Sequence, residues 1–153
     1  MIHYASQLPN VGFFSTPFGR EFFYFPNERG MMMPKALLVD DSSFMRLFIG
    51  SVIAPEGYDV TEAANGLEAI ALCRAEQFDL ITLDITMPDL DGIAALQEIR
   101  QSNPDAYIVM LSAMGQEFFV RTAITHGAND FLIKPFRKES LRTFIRNVRL
   151  RHR

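Results

Sequence analysis

The stretch LITLDITMPDLDG, residues 80–92, runs an apolar and β-branched segment straight into a carboxylate at Asp84 and then into loop chemistry. Leu80 to Leu83 show no polar alternation, as expected of a strand buried on both faces. Pro88 and Asp91-Gly92 read as a loop that delays the next helix. An ionised carboxylate at the rim of such a core is costly unless something compensates it, so Asp84 needs a partner.

Outward from this stretch the same alternation of short apolar run and helical pattern recurs. Upstream, KALLV (35–39) predicts a strand, followed by Phe44, Leu47, Phe48 and Val52 at helical spacing behind Ser42 or Ser43 as cap. Residues 58–63 predict a weaker strand, and Asn65-Gly66 turns the chain into a helix over 67–76. The strand of the opening stretch covers 79–83, and the helix after it, 93–100, stops near Asn103-Pro104. Downstream, YIVML (107–111) predicts a fourth strand, 117–125 a helix ended by His126-Gly127, 131–133 a short fifth strand and 138–150 the last helix. Five βα units with apolar strands define the α/β class, a doubly wound parallel sheet with helices on both faces. Ligands of such sheets bind beyond the carboxyl ends of the strands.

A chain of 153 residues, 48% hydrophobic and 22% charged, can bury a core of its own. Residues 1–33 stand apart, with eight of the eighteen aromatic residues, three prolines and no sustained period. They read as an N-terminal extension, with GFFSTPF and EFFYF as a partner-binding arm or an added strand. Met31-Met32-Met33 offers an alternative start of translation, and residues 34–153 form the main domain. The lone Cys73 falls in an apolar helical pattern, which excludes a disulfide framework and reads as a buried thiol. No run reaches the roughly 18 to 20 apolar residues of a membrane span, and the N-terminus lacks signal-peptide order, so a cytoplasmic location is expected. The net charge of −3 divides into −10 over residues 1–133 and +7 over 134–153. A basic end can attract nucleic acid, but Leu141, Phe144, Ile145 and Val148 at helical spacing read instead as an amphipathic helix with a solvated basic face. No direct nucleic-acid contact is expected.

Four predicted strands carry polar groups at their carboxyl ends: Asp40-Asp41, Asp84, Ser112 and Lys134-Pro135. Carboxylates gathered at one edge repel each other, and a divalent cation removes that conflict. An oxygen-only donor set from Asp40, Asp41 and Asp84, with no His or Cys nearby in sequence, selects a hard ion such as Mg²⁺ over zinc. One or both of the paired aspartates suit the metal. Lysine and serine suit phosphoryl oxygens, and Asp84, lying between the acidic pair and Lys134 with Ser112, is the carboxylate placed to attack phosphorus.

LLVDDSSFMR, AANGLEAI, LITLDITMPDLDG, VMLSAMG and DFLIKPF resemble, in the same order, the motifs of the receiver domain of two-component response regulators. The resemblance spans residues 34–148. It implies the flavodoxin-like strand order 2-1-3-4-5, with Asp84 as phosphoacceptor. It further implies that Asp40, Asp41, Asp84 and the backbone carbonyl of Thr86 hold Mg²⁺, and that Lys134 contacts the phosphoryl group. Ser112 matches the switch hydroxyl and Phe131 the switch aromatic; Phe131 lacks a phenol, so switching would rest on ring burial. Thr86 and Met114 would flank the phosphoryl entrance, and the Lys134-Pro135 bond is expected to be cis.

The function so implied is a phosphorylation-dependent signalling switch, not an enzyme with a turnover substrate, that promotes its own phosphotransfer and dephosphorylation. Its expected donor is a sensor histidine kinase or phosphotransfer protein. SAMGQ (112–116) resembles the chemotaxis type, whose downstream target is a flagellar motor switch protein. A relay passing phosphate to a histidine carrier is the alternative. A flavin protein of similar topology fits poorly, because Asp40-Asp41 would repel a cofactor phosphate. A haloacid-dehalogenase-type phosphatase wants aspartates one residue apart at a strand end, and neither Asp40-Asp41-Ser42 nor Asp84-Ile85-Thr86 supplies them.

Overall fold

The computed structural model describes residues 11–16, 19–24, 33–113 and 116–151. The chain divides into two compact units, Met1–Met33 and Pro34–Arg153. In the first, β1 (Val11–Thr16) and β2 (Gly19–Tyr24) form an antiparallel two-stranded sheet, in register from Val11 with Tyr24 to Thr16 with Gly19. The predicted added strand is thus a pair with a sheet of its own. Valine, phenylalanine and tyrosine favour strands whatever their spacing, a signal that a search for periodicity passes over.

The second unit alternates strand and helix. β3 (Lys35–Val39) is followed by α1 (Ser43–Ile53) and a short 3₁₀ turn (Ala54–Glu56), then β4 (Asp59–Ala63) and α2 (Gly66–Ala75). β5 (Leu80–Asp84) leads to α3 (Gly92–Ser102), β6 (Tyr107–Ala113) to α4 (Glu117–Thr125), and β7 (Asp130–Lys134) to α5 (Lys138–Arg151). All five of these strands are parallel, in the order β4-β3-β5-β6-β7, the predicted 2-1-3-4-5 arrangement.

Strand alternation sorts the core into two layers. Leu37, Val39, Ile81, Leu83, Ile108 and Met110 face one side with Ala69, Ala95, Leu96 and Ala123 of α2, α3 and α4. Ala36, Leu38, Leu80, Val109 and Leu111 face the other with Ile49 and Val52 of α1 and Leu141, Ile145 and Val148 of α5. That buried stripe accounts for the helical spacing among the C-terminal arginines. Two of them, Arg142 and Arg146, pair with Glu56. Cys73 is fully buried in the α2 layer, as its pattern predicted.

Local chemistry sets the helix starts. Ser42 caps α1 by accepting from Met45 N, and Asn65 caps α2 by accepting from Glu68 N. Asp91, read from sequence as loop, lies outside α3 as its cap, Asp91 Oδ1 accepting from Ile93 N and Ala94 N, whereas Gly92, also read as loop, is the first helical residue. A side chain at residue 92 would not fit, since its Cβ would lie 2.1 Å from the backbone oxygen of Asp84. Gly92 N donates to Ile85 O at 2.9 Å, closing the loop after β5 on itself and leaving Asp84 beside the helix start.

Candidate functional site

The strand order reverses between β3 and β5, and the polar residues gather there. Asp84 and Lys134 are the last residues of their strands, and Ser112 is next to last in β6. Extending β5 and β7 by one residue beyond the predicted ends, and β6 by two, places these groups on the ladder itself. Asp40 follows β3 directly, and its N–H donates to Ala63 O.

Carboxylate oxygens of Asp40, Asp41 and Asp84 lie within 4.8 Å of one another, the arrangement of a metal-holding group among the described residues. Asp40 is buried, Asp41 exposed, and Asp84 keeps 7% of its surface. Lys134 Nζ sits between two of them, 2.8 Å from Asp40 Oδ2 and 3.3 Å from Asp84 Oδ2. The second oxygen of each carboxylate is held by main chain two residues on: Asp40 Oδ1 accepts from Ser42 N at 2.9 Å, and Asp84 Oδ1 from Thr86 N at 3.1 Å. Arg46 Nη1 donates to the Asp40 carbonyl, so it steadies the backbone without neutralising the cluster.

The charge count decides what the site can take. Burial pushes the Asp84 carboxyl above the usual carboxylate range; Lys134 draws it back, Asp40 pushes it further up, and the Thr86 N–H helps lower it. Burial alone would lower the Lys134 ammonium, but its hydrogen bond to Asp40 and the charges of Asp84 and Asp40 outweigh that and raise it. One ammonium therefore serves more negative charge than it can offset. A hard divalent cation fits the donor set, which consists of oxygens alone and is one cation short.

Ser112 is buried, and Phe131, on the edge strand β7, is 39% exposed. In register Ser112 pairs with Ile133, and Ala113 with Lys134. The Lys134-Pro135 peptide is cis, as expected. Thr86 is exposed beside the carboxylates, and Met114 lies outside the described residues. Sequence reasoning missed Gln116, whose side chain joins Ala113 N to Thr86 Oγ1. The contact with Thr86 crosses thirty residues of chain and leaves no local pattern to read.

A doubly wound sheet with an acidic cluster and a lysine at the carboxyl ends of its strands suits a signalling domain of the receiver class, and the comparisons agree. The family model of the response regulator receiver domain matches residues 36–146, and the chain belongs to that family. Its relatives place it with the chemotaxis type. It is 46% identical over 109 residues to the chemotaxis protein CheY of Bacillus subtilis, covering 71% of this chain and 91% of that one. Against CheY of Thermotoga maritima it is 45% identical over 106 residues, covering 69% and 88%. The structure of CheY4 from Vibrio cholerae superimposes with a TM-score of 0.71 at 31% identity, covering 76% of this chain and 99% of that one. No described helix is long and apolar enough to cross a membrane.

Proposed function

We propose that this chain is a switch of the chemotaxis type that works in the cytoplasm, receives a phosphoryl group on Asp84 from a sensor histidine kinase or phosphotransfer protein, and signals by protein contact. The observation that carries this reading is Lys134 Nζ lying 2.8 Å from Asp40 and 3.3 Å from Asp84, inside a cluster of three carboxylates. Asp84 is the one cluster member that both contacts the lysine and ends a central strand. Residues 34–153 are the receiver, and residues 1–33 are an extension not needed for phosphoryl acceptance.

In the transfer, an Asp84 oxygen forms a bond to phosphorus as the donor's N–P bond breaks, and the departing imidazole takes a proton from solvent. Lys134 offsets charge on the transferred oxygens. In dephosphorylation, water attacks phosphorus and the Asp84 O–P bond breaks, which restores the carboxylate and releases inorganic phosphate and a proton. Asp40, Asp41, Asp84 and the Thr86 carbonyl would hold Mg²⁺, which when bound supplies the positive charge that the residues lack.

The phosphoryl group then attracts the Ser112 hydroxyl, and Phe131, half-exposed on β7, follows inward by ring burial. Only the difference in interaction between the two arrangements can move the population. A flagellar motor switch protein is the target that the chemotaxis relatives suggest. Incubating the chain with Mg²⁺ and a small acyl phosphate should add a single phosphoryl group by intact mass, and Asp84→Asn should abolish it. A mass gain that survives Asp84→Asn contradicts the assignment.

A further inference from the structure

Gln116 lies between β6 and α4, and its carboxamide joins the end of β6 to the loop after β5. Ala113 N donates to Gln116 Oε1 at 2.7 Å, and Gln116 Nε2 donates to Thr86 Oγ1 at 2.7 Å. Chemistry dictates this orientation: a backbone N–H can only donate, so the atom facing Ala113 is the carbonyl oxygen and the NH₂ is left for Thr86. Thr86 in turn holds Asp84 Oδ1 through its N–H. One side chain thereby ties the residue after Ser112 to the residue whose main chain orients the acceptor carboxylate.

We propose that Gln116 is a latch for the resting arrangement, a positioning residue that sets how readily Asp84 is phosphorylated. The inference rests on the reading of Asp84 as acceptor and Ser112 as the hydroxyl that moves. Ser112 and Ala113 share one planar peptide group. A backbone advance of Ser112 toward Asp84 carries along the Ala113 N–H that Gln116 holds, and Thr86 anchors the far end of the tie. A contact made only in the resting arrangement lowers the share of molecules in the advanced one. Cutting it shifts the population toward the state that accepts and keeps the phosphoryl group.

The test uses the full chain, Mg²⁺ and a small acyl phosphate. Gln116→Ala and Thr86→Val should each raise the initial rate of phosphoryl incorporation by about three- to tenfold, roughly the worth of one such tie. The double variant should gain no more than the larger single one, because both changes cut the same connection. Hydrogen exchange at the Ala113 amide should quicken in Gln116→Ala. A side chain serving only as structural support would not produce a gain in rate. Labelling lost in Asp84→Asn together with an unchanged or slower rate in Gln116→Ala overturns the latch alone, as do gains that add fully in the double variant. Labelling that persists in Asp84→Asn overturns the acceptor reading, and the latch with it.

Discussion

The two ends of the five-stranded sheet handle buried polarity in opposite ways. At the amino end, Asn103 is fully buried and matched: it accepts from Phe78 N at 2.7 Å and donates to Cys73 O at 2.8 Å and Glu76 O at 3.3 Å. Nearby, Arg100 donates to the carbonyls of Gly127, Asn103, Pro104 and Ala106 and to Asn129 Oδ1. Asn129 also accepts from Ile108 N, and Asp79 from Lys35 N. Backbone groups there meet side-chain amides, the Asp79 carboxylate or a guanidinium with many acceptors. At the carboxyl end, one ammonium pairs with two of three clustered carboxylates. The difference separates two uses of polarity: the satisfied end fastens strands to helices, while the other holds negative charge that Lys134 offsets in part.

The comparison predicts substitutions of opposite sign. Asn103→Ala at the amino end should cost about 3 kcal/mol, because it strands a buried N–H and two carbonyls, while phosphoryl incorporation by the folded protein stays as it was. Urea midpoints and labelling measured together check this; a loss under 1 kcal/mol breaks the contrast. Asp84→Asn at the carboxyl end should instead stabilise the metal-free chain by about 1 kcal/mol, since it removes a desolvated charge that Lys134 only partly offsets. Added Mg²⁺ should stabilise the parent protein and not this variant. Destabilisation of the metal-free variant would contradict the charge count.

Cys73 sharpens the picture of the amino end, because its carbonyl is one of the groups that Asn103 holds. Burial pushes its thiol up to about 12 from an ordinary 9.0. The folded thiol stays protonated where the unfolded one ionises, so its contribution is fully present below pH 9 and is lost as pH rises towards 12. Cys73 alone should account for a fall of about 1 kcal/mol by pH 10, and Cys73→Ala should lessen the total fall by that amount. Thiol reagents should label Cys73 only after unfolding, and faster in Asn103→Ala. The smallest effect belongs to Thr82, midway along β5, whose buried hydroxyl has no hydrogen-bond partner among the described residues. Thr82→Val should be neutral or stabilising by up to about 1 kcal/mol in urea unfolding.

Legibility in the sequence follows the same division. The five strands could be read because each is a short apolar run, and their class followed from alternation with helices. Asp40, Asp41, Asp84, Ser112 and Lys134 could be placed because each lies just past such a run or ends it, so topology alone carries them to one edge. Asn103, Arg100 and Gln116 could not, because their contacts join residues roughly twenty-five to thirty apart in sequence and depend on which helix ends meet. Asp91 lies outside the helix as its reading implied, but its capping role was not legible, because aspartate suits a turn and a helix cap equally well.

The central claim is that the unmatched end of the sheet forms a phosphoryl bond at one carboxylate. Treating the phosphorylated chain with borohydride reduces an aspartyl phosphate to homoserine, and tandem mass spectrometry of the resulting peptides locates it. Conversion at residue 84, absent without Mg²⁺, is the predicted result. Conversion at Asp40, Asp41 or any other residue, or none at residue 84 in a chain carrying the phosphoryl mass, would contradict the account.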